Sequence, residues 1–401
     1  MPNPVTRGPR LIFVNRFYWP EEPATGQLLT DLAERLAHLG REVIVIASHP
    51  GGSEIPAQEK RNGVHIVRLR GTRWSGGLVG KAISFLAFFL RAIPRLVFFL
   101  RRGDVVVALT DPPLLGIGTG IASRMRGARL FHWVQDIYPE LAIELAGQHW
   151  LRLLRPWRNS AWRAAERNVT LGGDMAAVLR EAHVAPEKIS ISANWAPAGV
   201  APATPGKSTA LRTEWSLQGK FVVLYSGNFG RVHDLAPLLA VARMLLDEPD
   251  IVFVFAGGGA KHAVLRKLQS RFGLTNVVFQ PHQPRDRLNE LLALGDVHFV
   301  TLRAGCERYV FPSKLYGIAA AGRPVIFVGP RACEVARTVE ENGFGFSVAT
   351  DRADETAAKL LGLKGDPAMR ARFSQAAIAW TEKTGGLNAA ATLWNSWLDP
   401  R

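Results

Sequence analysis

A chain of 401 residues, 47% hydrophobic and 21% charged, is too long for one comfortable core and too apolar for a disordered segment, so two globular domains are expected. Its 49 Lys and Arg against 34 Asp and Glu leave a formal charge of +15, so some surface faces an anion, whether nucleic acid, acidic lipid or a phosphorylated ligand. Cys306 and Cys333 are the only cysteines and fall in no C-x-x-C or Cys/His spacing, which argues against a disulfide framework or thiolate metal site and fits a reducing compartment.

The opening "MPNPVTRGPRLIFVNRFYWP" has too short an apolar run for a signal peptide, so a cytoplasmic start is expected. Residues 10–15 read as a buried strand. A helix follows, with Leu28, Leu32, Leu36 and Leu39 at 3–4 spacing and a stop at Gly40. Residues 42–48, 64–70, 104–110 and 128–136 read as four more strands. From Lys60 to Gly103 there are ten Lys and Arg, Arg73 among them, and no Asp or Glu. Within that stretch, residues 83–100 hold twelve Ile, Leu, Val or Phe. Each favours insertion by roughly 0.3–0.6 kcal/mol, against roughly 2.5–3.5 kcal/mol for each arginine at a helix centre, here Arg91 and Arg95. The sum is near zero, and Pro94 adds a kink. A helix lying on an anionic membrane surface is therefore expected, docking through Lys81, Phe85, Phe88, Phe89, Arg91, Arg95, Phe98, Phe99, Arg101 and Arg102. The alternative is a core helix pair broken at Pro94. A second basic segment rich in Trp, 149–168, joins the same docking expectation.

Residues 194–215, rich in Pro, Ala, Gly, Ser and Thr, read as a linker. The same grammar restarts beyond it, with strands at 220–227, 251–259, 276–280, 296–302 and 324–329. Short apolar strands separated by helices imply parallel sheets covered on both faces. The fold class expected is thus α/β, two Rossmann-like domains facing across a cleft: 1–197, 198–375, and a helix over 376–401 that crosses back to the first domain with Trp380, Trp394 and Trp397.

Ligands of such sheets bind beyond the carboxyl ends of strands, so chemistry is sought in those loops. After strand 220–227, Gly227, Asn228 and Gly230 permit close backbone approach, Arg231 offers a permanent cation, and Asp234 is placed to cap the next helix; the set suits a phosphate. Gly257 and Gly258, followed by Lys261, repeat the device, whereas the glycines of 116–120 read as packing positions. "VFPSKLYGIAAAG" puts Ser313 and Lys314 at the mouth of a helix stripped of bulk. The helix dipole disfavours a lysine there, which makes sense if a diphosphate occupies the spot. Glu307, upstream, is suited to accept hydrogen bonds from sugar hydroxyls. In the first half, Thr25 and Gly26 start a helix, and Gln135, Asp136 and Glu140 sit at the mouth of the fifth strand. No D-x-D occurs, so a carboxylate-held divalent metal is not expected and no cofactor is required.

On these segments, "FYWPEEPATGQLL", "VQDIYPE", "YSGNFGR" and "ERYVFPSKLYGIAAAGRPVI", the sequence resembles the GT-B glycosyltransferases of family 4, most of all the bacterial exopolysaccharide and O-antigen type. The resemblance implies metal-independent transfer, with retention, of a sugar from a nucleotide diphosphate donor to an acceptor; with the basic, Phe-rich segment, the acceptor expected is a polyprenyl-diphosphate-linked saccharide at the inner face of the cytoplasmic membrane. It implies Arg231 and Lys314 on the diphosphate, Glu307 on the donor sugar, Gly26 as a close-approach turn and Asp136 on the acceptor side. Three features depart from the family pattern: the second acidic position of the glutamate pair is Gly317, the lysine that often follows the first-loop arginine is absent, and the usual His-Asp is Gln135-Asp136. Two other readings compete. A nucleotide-sugar 2-epimerase shares the two-domain plan, and a nucleic-acid binder would use the charge, although no RRM, KH or helix-turn-helix pattern accompanies it, so no nucleic-acid partner is expected.

Overall fold

A computed structural model describes residues 9–21, 23–51, 54–71, 77–203 and 210–399, with the side chains of 77–79 excepted. Arg73 and the linker positions 204–209 lie outside them. The chain forms two compact units, residues 1–194 with 387–401, and residues 195–386.

Unit 1 runs β1 (Leu11–Val14), α1 (Ala24–His38), β2 (Val43–Ser48), β3 (Gln58–Arg61), β4 (Val64–Leu69), α2 (Gly77–Phe99), β5 (Val105–Ala108), α3 (Leu115–Arg126), β6 (Arg129–Val134), α4 (Glu140–Ala146), α5 (Arg155–Ala164), β7 (Arg167–Thr170), α6 (Gly173–Glu181) and β8 (Ile189–Ile191). Its eight strands lie in the order β3-β4-β2-β1-β5-β6-β7-β8, parallel but for the edge pair β3–β4. Runs such as LIFV and VVVA are buried at every position because helices cover both faces. Strand alternation divides them: Ile12 and Val14 join the cluster of α2 and α3, while Phe13 faces Trp394 at 6.3 Å.

Helix α2 is continuous through Pro94 rather than a broken pair. Phe88, Ala92, Leu96 and, just past its end, Leu100 recur every four residues and are buried against the sheet. Phe88 is therefore a core residue, not the docking residue expected. Phe85, Phe89 and Phe99 are half-buried: Phe85 lies under the Arg16 guanidinium, and Phe99 is flanked by Arg10 and Arg95. Lys81, Arg91, Arg95, Phe98, Arg101 and Arg102 are exposed. The glycines of 116–120 do serve packing, since a Cβ on Gly118 would stand 2.7 Å from Ile93 of α2 and one on Gly116 2.7 Å from His132 of β6.

Unit 2 runs α7 (Ala210–Glu214), β9 (Phe221–Asn228), α8 (Ala236–Met244), β10 (Ile251–Gly258), α9 (His262–Arg271), β11 (Val277–Gln280), α10 (Leu288–Leu294), β12 (Val297–Thr301), α11 (Lys314–Ala320), β13 (Val325–Val328), α12 (Glu334–Glu341), β14 (Gly345–Val348), α13 (Ala353–Gly365) and α14 (Pro367–Thr384). Six parallel strands lie in the order β11-β10-β9-β12-β13-β14. The order reverses between β9 and β12, a switch point of the kind that opens a ligand crevice at strand carboxyl ends.

The single helix expected over 376–401 is two. Gly385, at φ 69°, closes α14, and α15 (Gly386–Leu398) belongs to unit 1. The three tail tryptophans part accordingly: Trp380 stacks on Tyr316 in unit 2, while Trp394 packs on Trp133 and Trp397 in unit 1.

Candidate functional site

The loops at the β9/β12 switch point hold most of the residues singled out from the sequence. Strand β9 ends in Tyr225-Ser226-Gly227-Asn228 and pairs with β10 to its last residues, Gly227 with Gly257 and Asn228 with Gly258. The two backbones run so close that a Cβ on Gly257, at φ +139°, would lie 2.1 Å from the Gly227 carbonyl oxygen. Gly258 differs: a Cβ there would meet nothing within 4 Å, so packing does not demand its glycine.

Lys314 opens the seven-residue helix α11 and projects beneath this loop. Its Nζ sits 3.7 Å from the centroid of the Tyr225 ring, and a Cβ on Gly227 would be 3.6 Å from it. The ammonium is buried without a hydrogen-bond acceptor. An ammonium denied both water and an acceptor is expensive, and the π face of Tyr225 offsets only part of the cost. Burial pushes Lys314 down from 10.5 to about 7. Glu307, on the loop after β12, likewise has one buried carboxylate oxygen, Oε2, with no partner. Lys314 Nζ and Glu307 Oε2 are thus two buried polar atoms of the segment after β12, each left without a protein partner, which is unusual for buried polar groups.

Neighbouring groups tie the loops together. The neutral His233 ring, pushed down to about 3 by burial and by Lys314, donates from Nδ1 to the Thr301 carbonyl at 2.7 Å. Lys261 Nζ donates to the His233 carbonyl at 2.7 Å, and burial lowers that lysine's pKa despite Asp234 nearby. Arg231 and Arg303 are exposed on the same loops, and Arg303 N–H donates to the Val232 carbonyl at 2.8 Å. The sequence marks Lys261 as the cation of a second glycine loop and gives His233 no role; that the two are joined is a contact across loops that no local spacing carries. Asp234 does not cap α8, which begins at Ala236 without a side-chain cap. Ser313 precedes α11 but makes no side-chain cap bond.

The Lys314 environment gives a signed expectation. The unfolded chain keeps that proton up to about 10.5 and the folded chain only up to about 7, so over this window the unfolded state binds more protons and stability rises with pH. Thermal unfolding of the ligand-free protein should show a pH increment above about 7 that Lys314→Met lacks. An identical pH dependence in the variant would contradict the assignment.

In unit 1, Asp136 lines a small recess with Thr110, His132, Tyr138, Arg158 and Trp162. Its backbone N–H donates to Thr110 Oγ1 at 3.2 Å. Burial first and Asp111 second push its carboxyl up to about 7. The two residues expected beside it are otherwise engaged. Gln135 exchanges amide hydrogen bonds with Asn194 at 3.2 and 3.3 Å, and Glu140 is gripped by Arg158 at 2.7 and 2.9 Å. Gly26, in the first turn of α1, permits close approach to Phe17, whose Cβ would stand 3.1 Å from its own.

Residues 25–195 match the family described as glycosyl transferase 4-like domain, and residues 208–380 the family described as glycosyl transferases group 1. The chain is 28% identical over 342 residues to WcaI of Escherichia coli (strain K12), whose name assigns it to glycosyl transfer in colanic acid biosynthesis; the match covers 80% of this chain and 84% of WcaI. It is 28% identical over 272 residues to WbjE of Pseudomonas aeruginosa, named a glycosyltransferase, covering 67% of each. Among solved structures, Anabaena HepE in complex with UDP and glucose has a TM-score of 0.76 at 15% identity, covering 97% of this chain and 99% of HepE.

Proposed function

The chain belongs to the glycosyltransferases of the GT-B type, a 4-like domain followed by a group 1 domain, and we propose that it transfers a sugar from a nucleoside diphosphate donor to a lipid-linked saccharide in surface polysaccharide synthesis. The proposed transfer retains anomeric configuration, needs no metal ion and takes place at the inner face of the cytoplasmic membrane. The observation that carries this reading is the buried, acceptor-less ammonium of Lys314 beneath the Gly227 turn. UDP bound to HepE and the colanic acid role in the name of WcaI support the donor and product classes.

In this scheme the acceptor oxygen forms a bond to the anomeric carbon as the bond from that carbon to the β-phosphate oxygen breaks. Negative charge grows on the departing diphosphate, where Lys314 and Arg231 neutralise it, and such fixed charge is the main catalytic contribution available. The acceptor proton passes to the departing phosphate. Glycines 227, 257 and 258 with Asn228 let the loop backbone approach the diphosphate. Glu307 Oε2 accepts from the donor sugar, and Asp136 faces the acceptor.

Glu307→Gln tests the sugar contact. Exchanging a charged acceptor for a neutral one should lower turnover of the donor sugar roughly 10- to 100-fold while free nucleoside diphosphate binds as before. Equal losses for both ligands would place Glu307 away from the sugar.

A further inference from the structure

We infer that unit 1 rests on an anionic lipid leaflet through the outer face of α2, α3 and α5, with α2 lying in the plane of the interface and not crossing it. The inference rests on the lipid-linked acceptor proposed above and names the surface that would meet the lipid. By length and hydropathy α2 could span a bilayer, but its inner stripe is already committed. Phe88, Ala92 and Leu96 are buried against Ile12, Val14, Ile46 and Val106, and crossing the membrane would strip them from the sheet.

Among the described residues, nothing covers three large apolar side chains of the opposite stripe. Leu86, Leu90 and Phe98 are exposed, Phe98 to 85%. The neighbouring helix α3 packs along α2, and α5 along α3. Each adds exposed apolar side chains, Ile121 and Met125 from α3 and Trp157 from α5, Met125 to 64%. α3 had no place in the sequence-based expectation, because only its packing on α2 brings it to this face.

Charge selects the occupant. Helices α2, α3 and α5 contain no Asp or Glu at all. Arg91 and Arg95 of α2 and Arg124 of α3 are exposed among the apolar residues. Large apolar side chains ringed by arginines, with no carboxylate present, match the headgroup boundary of an acidic bilayer: the chains sink in and the guanidinium groups meet phosphate. Nucleic acid would leave the apolar residues unsatisfied.

The test is flotation of the full chain with vesicles of phosphatidylcholine alone or doped with phosphatidylglycerol, run beside a thermal shift with nucleoside diphosphates. The expected result is salt-sensitive binding to the acidic vesicles only, released by alkaline carbonate. Leu90→Glu with Phe98→Glu, both at exposed positions, should weaken partition at least about tenfold, with the unfolding midpoint and the nucleotide shift unchanged. Absent binding, equal binding to neutral vesicles, retention through carbonate, or a double variant that binds like the parent would each overturn the inference. A missing nucleotide shift in a chain that still binds vesicles would instead strike at the donor site.

Discussion

Replacing Lys314 with methionine is expected to lower kcat/KM by about 10²- to 10³-fold, the loss seen when one preorganised charge-stabilising donor is removed. The fold should not suffer. Nζ accepts no compensation from a carboxylate or carbonyl, so its charge is a burden on the ligand-free protein, and a methionine of similar length keeps the contact with Tyr225. An unchanged or higher unfolding midpoint together with lost turnover would separate a binding role from a structural one. The reverse pattern, a destabilised protein with normal kcat/KM, would remove Lys314 from the site.

Trp394→Ala should be the most damaging single truncation in the last helix. The side chain is fully buried and packs on Trp133 at 5.2 Å, Trp397 at 5.6 Å and Phe13 at 6.3 Å. Deleting a buried tryptophan costs about 3–5 kcal/mol through lost transfer energy and the cavity left behind. Around it, Arg129 donates to the Leu398 carbonyl at 2.7 Å and Arg41 to Asn395 at 2.6 Å, so the helix is fastened at more than one point. Urea unfolding of unit 1 should shift to clearly lower denaturant, while Trp397→Ala, nearer the surface, should cost less. No change for Trp394→Ala would mean that α15 is not an integral part of unit 1.

Much of the fold is legible in the order of apolar runs, because strands buried on both faces are spelled as unbroken Val, Ile, Leu and Phe. β1, β2, β5, β9, β10 and β13 could all be read this way. The missed strands are those without that signature. QEKR of β3 sits at an edge and alternates in exposure, RNVT of β7 is polar, ISI of β8 is only three residues long at the other edge, and GFSV of β14 begins with the glycine that passes under Val325. Helix α2 shows the opposite difficulty. It is apolar almost all round, so composition reveals an interface but not which stripe the sheet takes: Phe88, expected to dock, is buried, and Leu90, given no role, is exposed.

The candidate site divides in the same way. Lys314 stood out because a lysine at a helix start opposes the dipole, and the Gly227 and Gly257 turns stood out because they follow buried strands. Asp136 was legible as a strand-end carboxylate. That Gln135 and Glu140 are consumed by Asn194 and Arg158 was not, since those partners lie 59 and 18 residues away. Lys261 holding His233, and His233 holding Thr301, are likewise products of three loops meeting at a switch point.

Soaking crystals of the protein with a nucleoside diphosphate sugar tests the central claim most directly. The diphosphate should lie over the Gly227 turn with its oxygens within about 2.7–3.2 Å of Lys314 Nζ and the Arg231 guanidinium. A diphosphate bound elsewhere, with Lys314 still covered only by Tyr225, would contradict the account.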